Sequence, residues 1–237
     1  MSVAWFAGFS REAALSDADR AWLDPVLVAT PAVSRPLVHA PASTHDPNLD
    51  DGRAPALVLQ RYFDDEAGMN GAQRHLQILA TPEELPSLRG AIATHQVMRM
   101  RAFRVPEPRQ SSAMCIYHVA YEGEADDMDA WVSHDITQHT AIMTRFRQIR
   151  ESEIGTRLDW RGALSWPHVN RMLRNKVVVN KPPGLRAAPN SPVRRDMRAS
   201  RATARIFAGP ATHIPIDPAV VDLSRFAGAV AACQRCG

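Results

Sequence analysis

His139 and Asp135 stand four residues apart in a stretch, 128–146, whose apolar positions recur at helical spacing. An imidazole titrates near neutrality, so it can take up and return a proton at working pH. A carboxylate one helical turn earlier can hydrogen-bond the ring, fix its tautomer and favour its protonated form. The pair therefore reads as a general acid/base with an orienting partner. The plainer reading is two polar groups at a helix edge that satisfy each other or water. His213, in the last apolar run, is a third catalytic candidate, and His95 holds the equivalent place in the first half. Trp131, Ile142 and Met143 would wall an apolar pocket for a ring-bearing ligand, although such residues on a helix are more often core. On the strand before the helix Tyr117 and His118 alternate, and whichever faces the helix would floor that pocket. Trp160 and Trp166, on either side of Gly162, are read as a lid.

Stronger motifs are missing from the sequence. It has no GxGxxG after a strand, no phosphate loop, no nucleophile elbow and no HExxH. His134 and His139 are five residues apart, a poor helical spacing for shared metal ligation. Cys233 and Cys236 form a CxxC in the last five residues without a second pair, which reads as an incidental tail. No metal or nucleotide cofactor is expected. Haem needs only one axial His, but nothing in the sequence demands it.

Composition narrows the class of protein further. A hydrophobic fraction of 45% and a charged fraction of 22% over 237 residues are those of a globular chain. The formal charge is only +3, and the basic run at 194–205 carries Asp196 and no interleaved aromatics. That is a solvated face rather than a nucleic-acid surface. No run approaches the ~18 apolar residues of a membrane span, and the first ten residues lack the charged and apolar segments of a leader. With three cysteines, one of them (Cys115) in a strand-like run, the expected location is the cytoplasm.

The elements that must position these residues repeat along the chain. Ile92-Ala93-Thr94-His95 and Pro210-Ala211-Thr212-His213 each follow a nearby Gly, and the segments before them come in the same order. In the second half, strand patterns at 114–121, 149–158, 172–179 and 206–216 alternate with helices at 128–146 and 191–202. The first half fits the same template, with strands at 3–9, 36–40, 56–63 and 91–105 and helices at 10–28 and 67–79. Each half then reads βαββαβ, a ferredoxin-like unit. The expected organisation is α+β, with an N-terminal repeat over 1–108, a C-terminal repeat over 109–218 and a tail over 219–237. A four-stranded sheet with helices on one face leaves its other face bare, so the two sheets should cover each other as an internal pseudo-dimer.

The residues of the second copy resemble the EthD family. Trp131, His139-Thr140 and Met143, followed by Arg145 to Glu151, correspond to its aromatic- and His-bearing helix and the Phe-Pro-Gly-Ile-Arg-like turn into a strand. Arg174 to Val179, Asn190 to Arg194 and Thr212-His213 extend the likeness over residues 113–217, whereas the first half resembles the family in architecture alone. Gln138 stands where many relatives carry a second His, and Arg147-Gln148 replaces Pro-Gly. The resemblance implies the dimeric α/β barrel superfamily, which includes cofactor-free monooxygenases, isomerases, polyketide cyclases and, more distantly, haem-binding chlorite dismutases. It also implies a small-molecule enzyme in which His139, oriented by Asp135, acts on an apolar or aromatic metabolite. The rivals are a ligand carrier or accessory to an oxygenase, and a structural pseudo-dimer. Assembly into a further homodimer stays open.

Overall fold

The computed structural model describes residues 2–11, 16–19, 21, 37–41, 55–78, 89–108, 115–162, 164–179, 192–193, 195–196, 199 and 211–217. Eight strands are present among them: β1 (Val3–Ser10), β2 (Leu37–Pro41), β3 (Leu57–Phe63), β4 (Ile92–Phe103), β5 (Cys115–Glu122), β6 (Ile149–Arg157), β7 (Arg171–Val179) and β8 (Ala211–Asp217). Helix α1 is Glu66–Ile78 and α2 is Met128–His134; a π-helical turn, Asp135–His139, links α2 to the short α3, Thr140–Met143. The helices expected at 10–28 and 191–202 and the CxxC tail fall wholly or largely outside the described residues. Among the described residues no helix is long and apolar enough to cross a membrane.

The strands close into a barrel in the order β1-β3-β2-β8-β5-β7-β6-β4, and β4 pairs back to β1. Every neighbouring pair is antiparallel. Within each half the order is fourth, first, third, second: β4-β1-β3-β2 and β8-β5-β7-β6. Two seams join the halves. The β2–β8 seam is short, with Ala40 opposite Asp217 and Pro41 opposite Ile216. The β4–β6 seam runs from Met98 opposite Arg157 to Phe103 opposite Ser152.

Closure buries both faces of most strands, which explains the nearly unbroken apolar runs of β1 and β3. Alternate residues Val3, Trp5, Ala7 and Phe9 look outward, onto Met69 and Ala72 of α1. Asp65 starts that helix by accepting from the Gly68 amide at 2.8 Å. The same outer face is covered by the β6–β7 connection from the other half. Its Trp166 stacks on Trp5 at 6.4 Å and meets Phe9 edge-on at 5.2 Å, while Trp160 donates to Asn70 of α1 at 2.8 Å. His95 accepts from the Trp5 indole at 3.2 Å, and its backbone pairs with Pro167 and Val169. The two tryptophans thus form a strap across the first half rather than a lid over the second.

Ala4, Phe6, Val58, Met98, Met100, Ile116 and Val178 look inward, together with an unusual set of polar residues. Lys176 of β7 donates to the Tyr62 hydroxyl at 3.0 Å and to Glu153 at 3.2 Å, with Glu151 at 3.6 Å. Tyr62 donates to Glu153 and accepts from Gln60 at 2.6 Å; Gln60 in turn meets His39 Nε2 at 3.1 Å. The His39 and His118 rings lie edge to face, 4.9 Å apart. Burial pulls the Lys176 ammonium down, but Tyr62, Glu153 and Glu151 outweigh it and hold the group above its ordinary range. Burial and Glu153 likewise raise the Tyr62 phenol, which keeps its proton.

Removing one partner of a buried ion pair strands the other, at a cost of about 3–5 kcal/mol. Lys176→Met should therefore lower the urea midpoint sharply, and a second change, Glu153→Leu, should restore most of the loss. Acid should weaken the fold through its buried histidines. Burial and then Lys176 lower His39 to about 3, burial and then His39 and Arg174 push His118 well below its usual value, and burial and then His168 lower His95 to about 4. An unfolded histidine takes its proton at about 6.5, so below that pH the unfolded chain binds protons that the folded chain refuses. Stability should fall as the pH drops, by at most about 1.4 kcal/mol per histidine per pH unit. Urea titrations between about pH 7 and 5 should show the decline, and His118→Gln should make it shallower.

Candidate functional site

Gly123, with φ 113, turns the chain out of β5 towards α2. Asp127 caps that helix by accepting from the Ala130 amide at 2.9 Å. Met128, Trp131, Val132 and Ile136 then pack with Tyr121, Ile154, Leu173 and Phe103 on the outer face of the second half. The helix does not continue regularly. Over Asp135–His139 it widens to a π turn, closed by the Thr140 amide bonding to the Asp135 carbonyl. Such turns are rare, and many occur at functional sites.

The widened turn sets polar groups against an otherwise apolar sheet. Asp135, His139 and Thr140 are all buried beneath it. On the sheet opposite, buried Asn175 of β7 donates from Nδ2 to Asp135 Oδ2 over a long 3.4 Å. Asn175 Oδ1 and Thr140 Oγ1 have no partner among the described residues. Buried polar atoms normally find partners, so these two hold hydrogen-bonding capacity that a ligand or a water would use. Strand register adds His213: Val119 of β5 lies between Asn175 on one side and His213 of β8 on the other, in a single row.

The other expected residues divide between two faces. Trp131 is buried and meets Tyr121 edge-on at 5.3 Å. Tyr117 lies on the helix side of β5 in a cluster with Val105, Ile149, Val177 and Val179, against which Met143 and Phe146 pack. Ile142 is half-buried on α3. His118 takes the opposite face and sits in the barrel interior against His39 and Phe6. It is therefore not brought to Asp135 and His139. Neither Thr140 nor Asn175 stands out in the sequence as a site residue. Thr140 directly follows His139, but the Asn175 position sits between Arg174 and Lys176, in a run that looks like an exposed strand edge.

A cleft of about 700 Å³ opens where β4 and β6 part beyond the pair Phe103–Ser152. Its walls include Ala102, Phe103, Val105, Thr144, Arg150, Glu151, Ser152 and Glu153. It reaches the end of α3 at Thr144, and neither Asp135 nor His139 is among its walls. The interface under α2 does not fit haem, because Trp131, Tyr121, Ile154 and Leu173 fill it and a macrocycle would have to displace them. Among the described residues no three His, Cys, Asp or Glu side chains gather as a metal site.

No family model matches the chain, and no curated protein sequence does. Solved structures do resemble it. An anthrone oxidase-like protein shares 10% identity, covering 91% of this chain and 90% of the other, with a TM-score of 0.57. A candidate monooxygenase from Fusobacterium nucleatum shares 6% over 91% of both chains at a TM-score of 0.56. A chlorite dismutase variant from Candidatus Nitrospira defluvii shares 10% over 95% of both chains at 0.53. At such identities the likeness is one of fold alone, and the fold is that of the dimeric α/β barrel proteins.

Proposed function

We propose that this chain is an EthD-like, cofactor-independent enzyme, a fusion of two ferredoxin-like units whose second copy performs acid/base chemistry on an apolar, ring-bearing metabolite. One observation carries the reading: a π turn holds Asp135, His139 and Thr140 buried against Asn175, and two of these groups have unused hydrogen-bonding atoms. An apolar interface has no structural need of four such groups, and leaving buried polar atoms unmet is costly. In this reading His139 removes a proton beside a substrate carbonyl or phenol, and Asp135 fixes the ring and favours its protonated form. Asn175 Oδ1 and Thr140 Oγ1 position the substrate, and His213 completes the row. The proton removal is a first step shared by isomerisation, cyclisation, elimination and oxygenation. With dioxygen as oxidant, an anthrone would yield the quinone and water. A cytoplasmic location and no nucleic-acid or membrane partner complete the reading.

A second reading is favoured by the cleft, whose walls stop at Thr144. There the chain binds a ligand, as a carrier or an accessory to an oxygenase, and nothing reacts.

Anthrone in deuterated buffer separates the two. Exchange of its acidic ring-methylene protons reports proton removal directly, and dioxygen uptake reports the subsequent oxidation. The enzyme reading expects catalysed exchange that drops about 100-fold or more in His139→Ala and less in Asp135→Asn, both with unchanged circular dichroism. Wild-type rates in a folded His139→Ala, or binding of anthrone without any exchange, would leave the carrier.

A further inference from the structure

The barrel interior holds two buried cations on the same face of β7, and they differ in how they are neutralised. Lys176 has Glu153 and Glu151. Arg174, two residues away and 7% exposed, has no bonded carboxylate among the described residues. Its guanidinium rests 4.4 Å above the Phe6 ring, and its Nε has no hydrogen-bond partner among them. Glu122, the carboxylate that acts on it electrostatically, is engaged with Arg171 Nε at 3.3 Å. Burial lowers Arg174 to about 9, and the neighbouring Arg171 adds to the shift.

The unmet groups extend beyond Arg174. His118 is 1% exposed, and among the described residues neither of its ring nitrogens has a partner, nor does His39 Nδ1. Phe6 joins them spatially, carrying Arg174 on its face and His118 at 6.1 Å. A single orphaned atom would be unremarkable, but Arg174 Nε and the protonated nitrogen of His118 are two unmet donors in one compartment, beside a guanidinium with no bonded carboxylate among the described residues, and together they call for an anionic occupant. Water can satisfy hydrogen bonds there, but it cannot neutralise the charge.

The facing wall is apolar and soft. Met98 and Met100 pack beside Phe6 and Val178, and their sulfur atoms lie 3.1 Å from where a Cβ on Gly155 would be. Gly155 is the cross-strand partner of Arg174. Methionine side chains rearrange readily, so this wall can yield to a small apolar body. The nearest opening is the cleft at the end of the β4–β6 seam. The cleft is walled by Ala102 and Glu153, which pair with each other, and Met100 paired with Gly155 is the next inward-facing step.

We propose that the barrel interior is a second binding site, distinct from the His139 cluster, for a small organic acid whose carboxylate sits on Arg174 and His118 and whose apolar body lies against Met98 and Met100. The cleft between β4 and β6 is its entrance, and the Glu153–Lys176–Tyr62 bar stands just inside.

Benzoate and formate are the probes, read by calorimetry and by the shift in thermal midpoint at constant ionic strength. Benzoate should bind and raise the midpoint of the wild-type chain and of His139→Ala equally. Formate should act more weakly, because it has the carboxylate without the ring. Arg174→Met should weaken benzoate by at least about tenfold, the loss expected for a charge-assisted hydrogen bond. Without ligand this variant should be as stable as the wild type or more so, since it removes an unpaired charge; if it fails to fold, Arg174→Lys, which keeps the charge and loses the fork, should still weaken benzoate. No benzoate response in the wild type, or one that survives in the Arg174 variants, overturns the proposal. Equal responses to formate and benzoate overturn the apolar half of the site.

Discussion

The hydrogen-bonded bar of Tyr62, Lys176 and Glu153 is the constraint around which the barrel is organised. Tyr62 belongs to β3 in the first half, whereas Lys176 and Glu153 belong to β7 and β6 in the second. In the ring of eight strands β3 and β7 are four places apart, so these bonds cross the lumen instead of following a seam. Apolar packing is tolerant of sliding, but a buried ammonium that must meet a phenol and two carboxylates is not. The bar therefore fixes how one sheet sits over the other.

The chain keeps two polar groups of residues on opposite faces of the second sheet. Outside, the π turn changes the helix spacing just where Asp135 meets Asn175, and the apolar packing of Trp131 with Ile154 and Leu173 holds that geometry from one side. Inside, Arg174 and His118 occupy the alternate positions of the same strands, β7 and β5. Strand alternation thus lets a single Arg174-Asn175-Lys176 run serve both faces.

The strands could be placed from alternation, turn residues and β-branched runs, and the strand order is the same within each half. The inward and outward faces could not be assigned. When a sheet closes, both faces are buried, and the polar alternation that would distinguish them disappears; this is why Tyr117 and His118 stayed undecided. Buried charge was hidden for a related reason. Arg174, Lys176 and Glu153 look like ordinary surface residues until partners more than twenty residues away in the chain are brought beside them. The π turn leaves no mark either, because Asp135 and His139 fit regular helical spacing and the extra residue is absorbed by the backbone. The strap formed by Trp160 and Trp166 depends on contacts ninety residues apart, between Asn70 and Trp160 for one, which no local pattern reports.

That strap carries a consequence for how the chain is made. Synthesis delivers the first half well before Trp160, Leu164 and Trp166 leave the ribosome, and until they do Trp5 and Phe9 lack the indoles that cover them. The early half is thus a nascent sheet with greasy skin, needing either a chaperone's cover or the arrival of its own late-born neighbour to become a finished fold.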